Sequence, residues 1–140
     1  MYDQRAVYRA FNDPQVASII LPMKVQRVKA SPQVTADVGR VALRYGPLIY
    51  CIEETDNPGG RVQTLALPRS ATVEPLWRLD LFDGAMTLTA DAKRLVPGEG
   101  DALYSTEPPA AEDAELTALP YYLWANREPG SMQVWIAEAG

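Results

Sequence analysis

Few residues in this sequence are of a type that could do chemistry. Its 140 residues include one cysteine and no histidine. That removes internal disulfides, zinc sites of the Cys/His type and every catalytic arrangement built on imidazole. The adjacent acids Glu53 and Glu54 close an apolar run, and paired carboxylates are what glycoside hydrolysis uses. Neighbours on a strand point to opposite faces, so these two cannot flank one bond and read as a strand end entering solvent. Cys51 sits inside Leu48–Ile52. With no histidine to stabilise its thiolate, it reads as a small, inert hydrophobe. Gly98-Glu99-Gly100 lacks the strand and helix of a dinucleotide loop, and Asp80, Asp83, Asp91 and Asp101 lack calcium-loop spacing. No cofactor and no metal site is expected.

The aromatic residues near the C-terminus are more informative. Reading Thr117–Ala125 as a strand places Tyr122, Trp124 and Asn126 on one face, opposite Tyr121 and Leu123. In a second strand over Met132–Ala137, Met132, Val134 and Ile136 oppose Gln133 and Trp135. A flat exposed aromatic beside Asn or Arg can bind a sugar, stacking on its apolar face while polar groups meet hydroxyls. The same rings can instead fill the core. Both arrangements fit the sequence, and the candidate carbohydrate-binding residues are Tyr121, Trp124, Asn126 and Arg127.

The elements that position these residues read as short strands. Twelve prolines, about twice the usual ~5% share, disfavour long helices. Met23–Val28 and Val41–Tyr45 alternate as half-buried strands do, and Leu48–Ile52 is apolar on both faces, as in a central strand. Further strands are expected at Val16–Leu21, Val62–Leu67, Thr72–Phe82 and Met86–Thr89, with Asp83-Gly84 as a hairpin turn. Thr117–Ala125 and Met132–Ala137 are expected to pair as a hairpin across a Pro129-Gly130 corner. Residues 97–115 read as an exposed excursion with at most one short helix, at Ala110–Leu116. The pattern predicts an all-β, antiparallel, jelly-roll-like β-sandwich over residues 16–140, preceded by a loosely held arm at 1–15. Residues 71–140 carry four basic and twelve acidic side chains, which excludes a nucleic-acid footprint or an anionic membrane surface. No apolar stretch is long enough for a membrane helix, and the start has no signal-peptide pattern, so the expected location is the cytoplasm.

Two ordered stretches resemble a known family. The first is LPMKVQRV at Leu21–Val28 with GRVALRYGPLIYCIE at Gly39–Glu53. The second is PYYLWANR at Pro120–Arg127 with GSMQVWI at Gly130–Ile136. Together they resemble the C-terminal part of the family 127 glycoside hydrolases, the β-L-arabinofuranosidase-like proteins once grouped as a domain of unknown function. The resemblance spans residues 16–138, with minor departures at Lys24 and Gln26, where the family more often shows Pro and Arg. It implies that the active site, with its zinc-bound cysteines, acid glutamate and histidines, belongs to an (α/α)6 barrel absent from this sequence. Cys51 matches a cysteine of the family's sandwich domain, so no catalytic role passes to it. The resemblance therefore implies a non-catalytic accessory domain that packs on a catalytic barrel domain or chain. Its rivals are a carbohydrate-binding module and a subunit of a split glycoside hydrolase. A domain parted from its barrel exposes the apolar patch that met it, which favours a two-fold homodimer.

Overall fold

The computed structural model describes residues 5–8, 19–98, 100 and 102–140, with side chains described from residue 23 onward. Glu99, Asp101 and most of the expected arm lie outside the described residues. Eleven strands are present among them: β1 (Arg5–Tyr8), β2 (Ile19–Pro22), β3 (Val25–Val28), β4 (Arg40–Tyr45), β5 (Leu48–Glu53) and β6 (Leu65–Pro68), then β7 (Glu74–Arg78), β8 (Ala85–Leu95), β9 (Ala111–Pro120), β10 (Met132–Gln133) and β11 (Ile136–Ala139). Helical structure among the described residues is limited to four three-residue 3-10 turns. No helix there is long and apolar enough to cross a membrane.

The fold is all-β, as the patterning predicts, and its sheet closes on itself. Around the ring, β5 pairs β9, β9 pairs β8, β8 pairs β6, β6 pairs β11, β11 pairs β4 and β4 pairs β5. Every contact in this six-stranded barrel is antiparallel except β6–β11, which is parallel. The expectation of two stacked antiparallel sheets thus becomes one mixed, closed sheet. The last strand causes the difference: β11 lies between β4 and β6 and joins edges that would otherwise stay open. Strands β3, β7 and β10 add to β4, β8 and β5 outside the ring, while β1 and β2 pair in a two-stranded sheet of their own.

The barrel interior follows the alternation of the strands. Val41, Leu43 and Tyr45 from β4 meet Tyr50 and Ile52 from β5, Leu65 and Leu67 from β6, and Ile136 from β11. Strand β8 contributes Met86, Leu88, Ala90 and Ala92, its small residues fitting the narrow interior. The buried Tyr50 hydroxyl donates to the Met86 carbonyl at 2.8 Å, so the ring's polar tip is satisfied inside the core.

Three local expectations change. The helical turn at Ala110–Leu116 is instead the start of β9, which pairs with β8 from Leu88↔Ala118 to Leu95↔Ala111. Alanine and glutamate favour helix, but cross-strand partners such as Lys93 and Asp113 override that weak preference. The strand expected through Ala125 stops at Pro120, which has no N–H for the ladder and starts a 3-10 turn at Tyr121–Leu123. The hairpin expected between this segment and Met132–Ala137 does not form, because β10 pairs β5 while β11 pairs β4 and β6. At residues 79–84, by contrast, β7 and β8 do form a hairpin, its turn held by positive φ at Phe82, Asp83 and Gly84.

Closure is reinforced at β11 by charge. The Glu138 carboxylate, only 5% exposed, is 3.2 Å from Arg27 Nη1, 3.0 Å from Arg69 Nε and 3.5 Å from Lys29 Nζ. Arg27 also donates to the carbonyls of Pro68 (2.9 Å) and Ala71 (2.6 Å), tying β3 to the end of β6. Burial pushes the Glu138 carboxyl up, but the Arg27 hydrogen bond and the Lys29 and Arg69 charges hold it below the ordinary 4.5. A lowered folded-state value stabilises the fold above pH 4.5 and loses that contribution as the pH falls below it. Glu138→Gln is therefore expected to be less stable than the parent near neutral pH. The gap should close below pH 4.5 when urea midpoints are compared across pH.

The β4–β5 hairpin has a two-residue turn in which Gly46 takes φ +58° ahead of Pro47, the sign pattern of a type II′ turn. Gly46→Ala is expected to cost about 1–2 kcal/mol for the left-handed conformation, since the Met23 side chain lying over Gly46 can swing aside. Gly98→Ala, with open space around it, should stay within about 0.5 kcal/mol. Denaturant unfolding of both variants checks this.

Candidate functional site

Of the adjacent acids at the end of β5, Glu53 is buried and Glu54 is partly exposed. Strand β5 leaves the sheet at Glu53 and enters a 3-10 turn at Glu54–Asp56. Buried Asn57 fixes the exit: its Nδ2 donates to the carbonyls of Glu53 (2.8 Å) and Thr117 (2.9 Å), while its Oδ1 accepts from Thr117 N–H at 2.7 Å. The amide thus acts as a strand partner for β9 where β5 turns away. On the far side of the loop, buried Arg94 donates to Thr64 Oγ1 (2.9 Å) and to the Asn57 carbonyl (3.0 Å).

The chain after β9 crosses this corner. Ala125, at φ +64°, donates its N–H to Glu53 Oε1 at 3.1 Å. Arg127 Nη2 reaches Glu53 Oε2 at 3.1 Å, and its fork meets both oxygens of Asp56 at 2.6 Å. The side chains of Glu53 and Asp56 are 7% and 5% exposed, so two nearly buried carboxylates share one guanidinium. All four carboxylate oxygens have a donor. The Asp56 hydrogen bond outweighs burial and raises the Arg127 pKa further, keeping the guanidinium charged. Its plane lies 5.4 Å from the Phe82 ring centre, which ties the β7–β8 turn to this segment. Nearby, the Cys51 thiol is fully buried, and burial with the Glu53 and Asp56 charges pushes it up to about 12. Glu54 takes another path: its Oε2 accepts from Ser131 N–H (2.9 Å) and Oγ (2.7 Å), which lowers its pKa.

These groups border a cleft of about 300 Å³, lined by Glu54, Trp124, Arg127, Glu128 and Ser131 among others. Of the four candidate residues, Trp124 and Arg127 line it, while Tyr121 and Asn126 do not, and strand geometry did not anticipate the arrangement. Tyr121 and Trp124 are on the same side, stacked with ring centres 6.1 Å apart and planes 15° apart. The 3-10 turn explains this, because its three-residue repeat eclipses positions i and i+3. Both rings are half-exposed. Asn126 Nδ2 donates to the carbonyls of Leu123 (2.9 Å) and Trp124 (3.3 Å), so it closes the local turn. Arg127 is held by the two acids. Glu53 and Asp56 were not expected here, and Glu53 is buried where an exposed strand end was expected. The available signal was Arg127, the one basic residue after Arg94 in an acidic half of the chain. Among the described residues, no group of three or more acids or thiols is arranged to hold a metal ion.

The described residues thus form a closed all-β barrel with a half-exposed aromatic pair beside the ion pairs of Arg127. Residues 25–137 match the sequence profile of the glycoside hydrolase family 127 C-terminal domain, and the chain belongs to that family. It is 40% identical over 138 residues to the non-reducing end β-L-arabinofuranosidase of Bifidobacterium longum subsp. longum, covering 92% of this chain and 21% of that enzyme. The crystal structure of a family 127 β-L-arabinofuranosidase from Geobacillus stearothermophilus superposes with a TM-score of 0.80 at 40% identity, over 87% of this chain and 19% of that one. A second family 127 β-arabinofuranosidase structure matches at 0.74 and 30% identity, over 97% and 23%. The chain thus spans about a fifth of the length of these relatives.

Arg127→Met leaves two carboxylates nearly buried without their cation. It is expected to lower stability by about 3 kcal/mol, and adding Asp56→Asn should recover part of that loss. Asn126→Ala, which removes only local turn bonds, should cost about 1 kcal/mol or less. Urea unfolding of the three variants checks the order.

Proposed function

We propose that this chain is a non-catalytic accessory domain of a family 127 glycoside hydrolase, with residues 16–140 as the packing unit and residues 1–15 as an arm. In this reading it packs on, and stabilises, a catalytic domain lying outside the chain. The observation that carries the reading is its match to the C-terminal domain of hydrolases whose chains are about five times longer. The chemistry of the site supports it. Glu53 and Asp56 are saturated by Arg127 and Ala125, and the Cys51 thiol is buried and protonated, so neither is poised to attack or to move a proton.

A second reading, a carbohydrate-binding surface, is favoured by the half-exposed Tyr121–Trp124 stack, whose Trp124 lines a cleft shared with Glu54, Glu128 and Ser131. There a sugar would stack on Trp124 with Glu54 and Glu128 within reach of its hydroxyls. Asn126 and Arg127, engaged with the protein itself, would hold the shelf in place.

A graft separates these readings. The fifth of the Bifidobacterium longum enzyme that aligns with this chain is replaced by the chain, and the chain is also assayed alone. The accessory reading expects a chimera that melts in one transition and retains arabinofuranosidase activity, while the chain alone hydrolyses nothing. Turnover by the chain alone, or two independent transitions in the chimera, overturns it. Calorimetric binding of arabinofuranosides to the chain, abolished by Trp124→Ala, would establish the second reading.

A further inference from the structure

One end of the barrel presents apolar side chains on a stiff frame. The β7–β8 turn exposes Trp77, Leu79 and Phe82, and the segment after β9 exposes Tyr121, Tyr122 and Trp124. Contacts run within each group, and Arg127 links the two. Trp77 lies against Gly84 within the turn, the Arg127 guanidinium sits over Phe82, and Trp124 stacks on Tyr121. Leu79 is 75% and Tyr122 68% exposed, well beyond what either needs for the domain's own core. Exposed apolar side chains gathered around one guanidinium in this way mark an interaction site. Its framework is preorganised by the Arg127 knot beneath it, so little ordering cost is left for the binding step.

We infer that this aromatic end is the face that seats against the remainder of a family 127 hydrolase; the inference rests on the accessory reading above. Two observations identify the occupant. About four-fifths of each relative's length lies outside the region matched by this chain, so a large covalently attached body is available to cover a face. The flanking charges are mostly acidic: Asp80 and Asp83 lie in the β7–β8 turn, with Arg78 paired to Asp80, and Glu54 and Glu128 line the cleft with Trp124. The complementary surface is therefore apolar with a Lys- or Arg-rich border. A second exposed apolar pair, Leu103 at 90% and Tyr104 at 92% accessible, lies at the opposite end of the β8–β9 hairpin, but every described residue from 97 to 113 there is exposed, so no scaffold presents it.

The test uses the chimera with Leu79→Lys and Tyr122→Lys, which put positive charge where a basic rim must approach. The same pair in the 140-residue chain alone should leave its melting temperature unchanged, because both side chains are mostly solvent-exposed. If the lysines unfold the lone chain, Leu79→Ser with Tyr122→Ser takes their place. In the chimera the double variant is expected to split the single transition, the grafted domain melting about 5 °C or more below the rest. Leu103→Lys with Tyr104→Lys should leave it single. An unmutated chimera with two transitions overturns the accessory reading and this inference with it. A single transition that survives Leu79→Lys and Tyr122→Lys overturns the inference alone. If sedimentation shows the lone chain to be a dimer that the double variant dissociates, while the chimera is unaffected, the face belongs to a second copy and the inference is overturned.

Discussion

Two carboxylates nearly out of water, with one guanidinium between them, constrain the rest of this corner of the molecule. An isolated buried charge is far too costly to keep, so Glu53 and Asp56 require Arg127. That requirement dictates the route of the chain that brings it. After Pro120 the backbone cannot continue along β5. It turns through Tyr121–Leu123, places Ala125 in the left-handed region so that its N–H meets Glu53, and delivers the arginine three residues after the last eclipsed aromatic. The stacked Tyr121 and Trp124 are thus a by-product of a charge requirement, and their position is as rigid as the ion pairs that enforce it.

A second nodal carboxylate acts where the sheet closes. Parallel pairing of a short terminal strand is the weakest kind of ladder, and β11 makes only three residue pairings with β6. Glu138 compensates by gathering Arg27 from β3 and Arg69 from just beyond β6, with Lys29 more loosely. Arg27 in turn caps two carbonyls at the end of β6. The barrel therefore closes through side-chain charge as much as through backbone bonds, and its closed ring offers fewer free edges for unwanted strand addition.

What was legible in the sequence was local. The alternation of Val41, Leu43 and Tyr45, the two-sided apolar run of β5, and the turn chemistry of Asp83-Gly84 all have short-range causes and appear where expected. The motifs at Gly39–Glu53 and Pro120–Arg127 also marked the family correctly. What was not legible depends on partners distant in sequence. Glu53 meets Arg127 across 74 residues, and β11 finds β6 across about 70, so neither the buried acid nor the ring closure leaves a periodic trace. The stretch Ala111–Leu116 illustrates the same limit. Its composition favours helix, and only the register against β8 makes it a strand.

The same reasoning bears on what the aromatic end can do. Arginine beside tryptophan in a sequence suggests a polar hand next to a stacking platform. In the fold, however, a ligand would have to compete with 2.6 Å contacts to a carboxylate that cannot be left unpaired. Arg127 is engaged by Glu53 and Asp56, and Asn126 Nδ2 by the local turn, so both help to support the shelf. What remains outward is apolar ring and aliphatic side chain with an acidic border. The recognition this end can offer is shape and apolar area first, with charge selecting orientation at the rim.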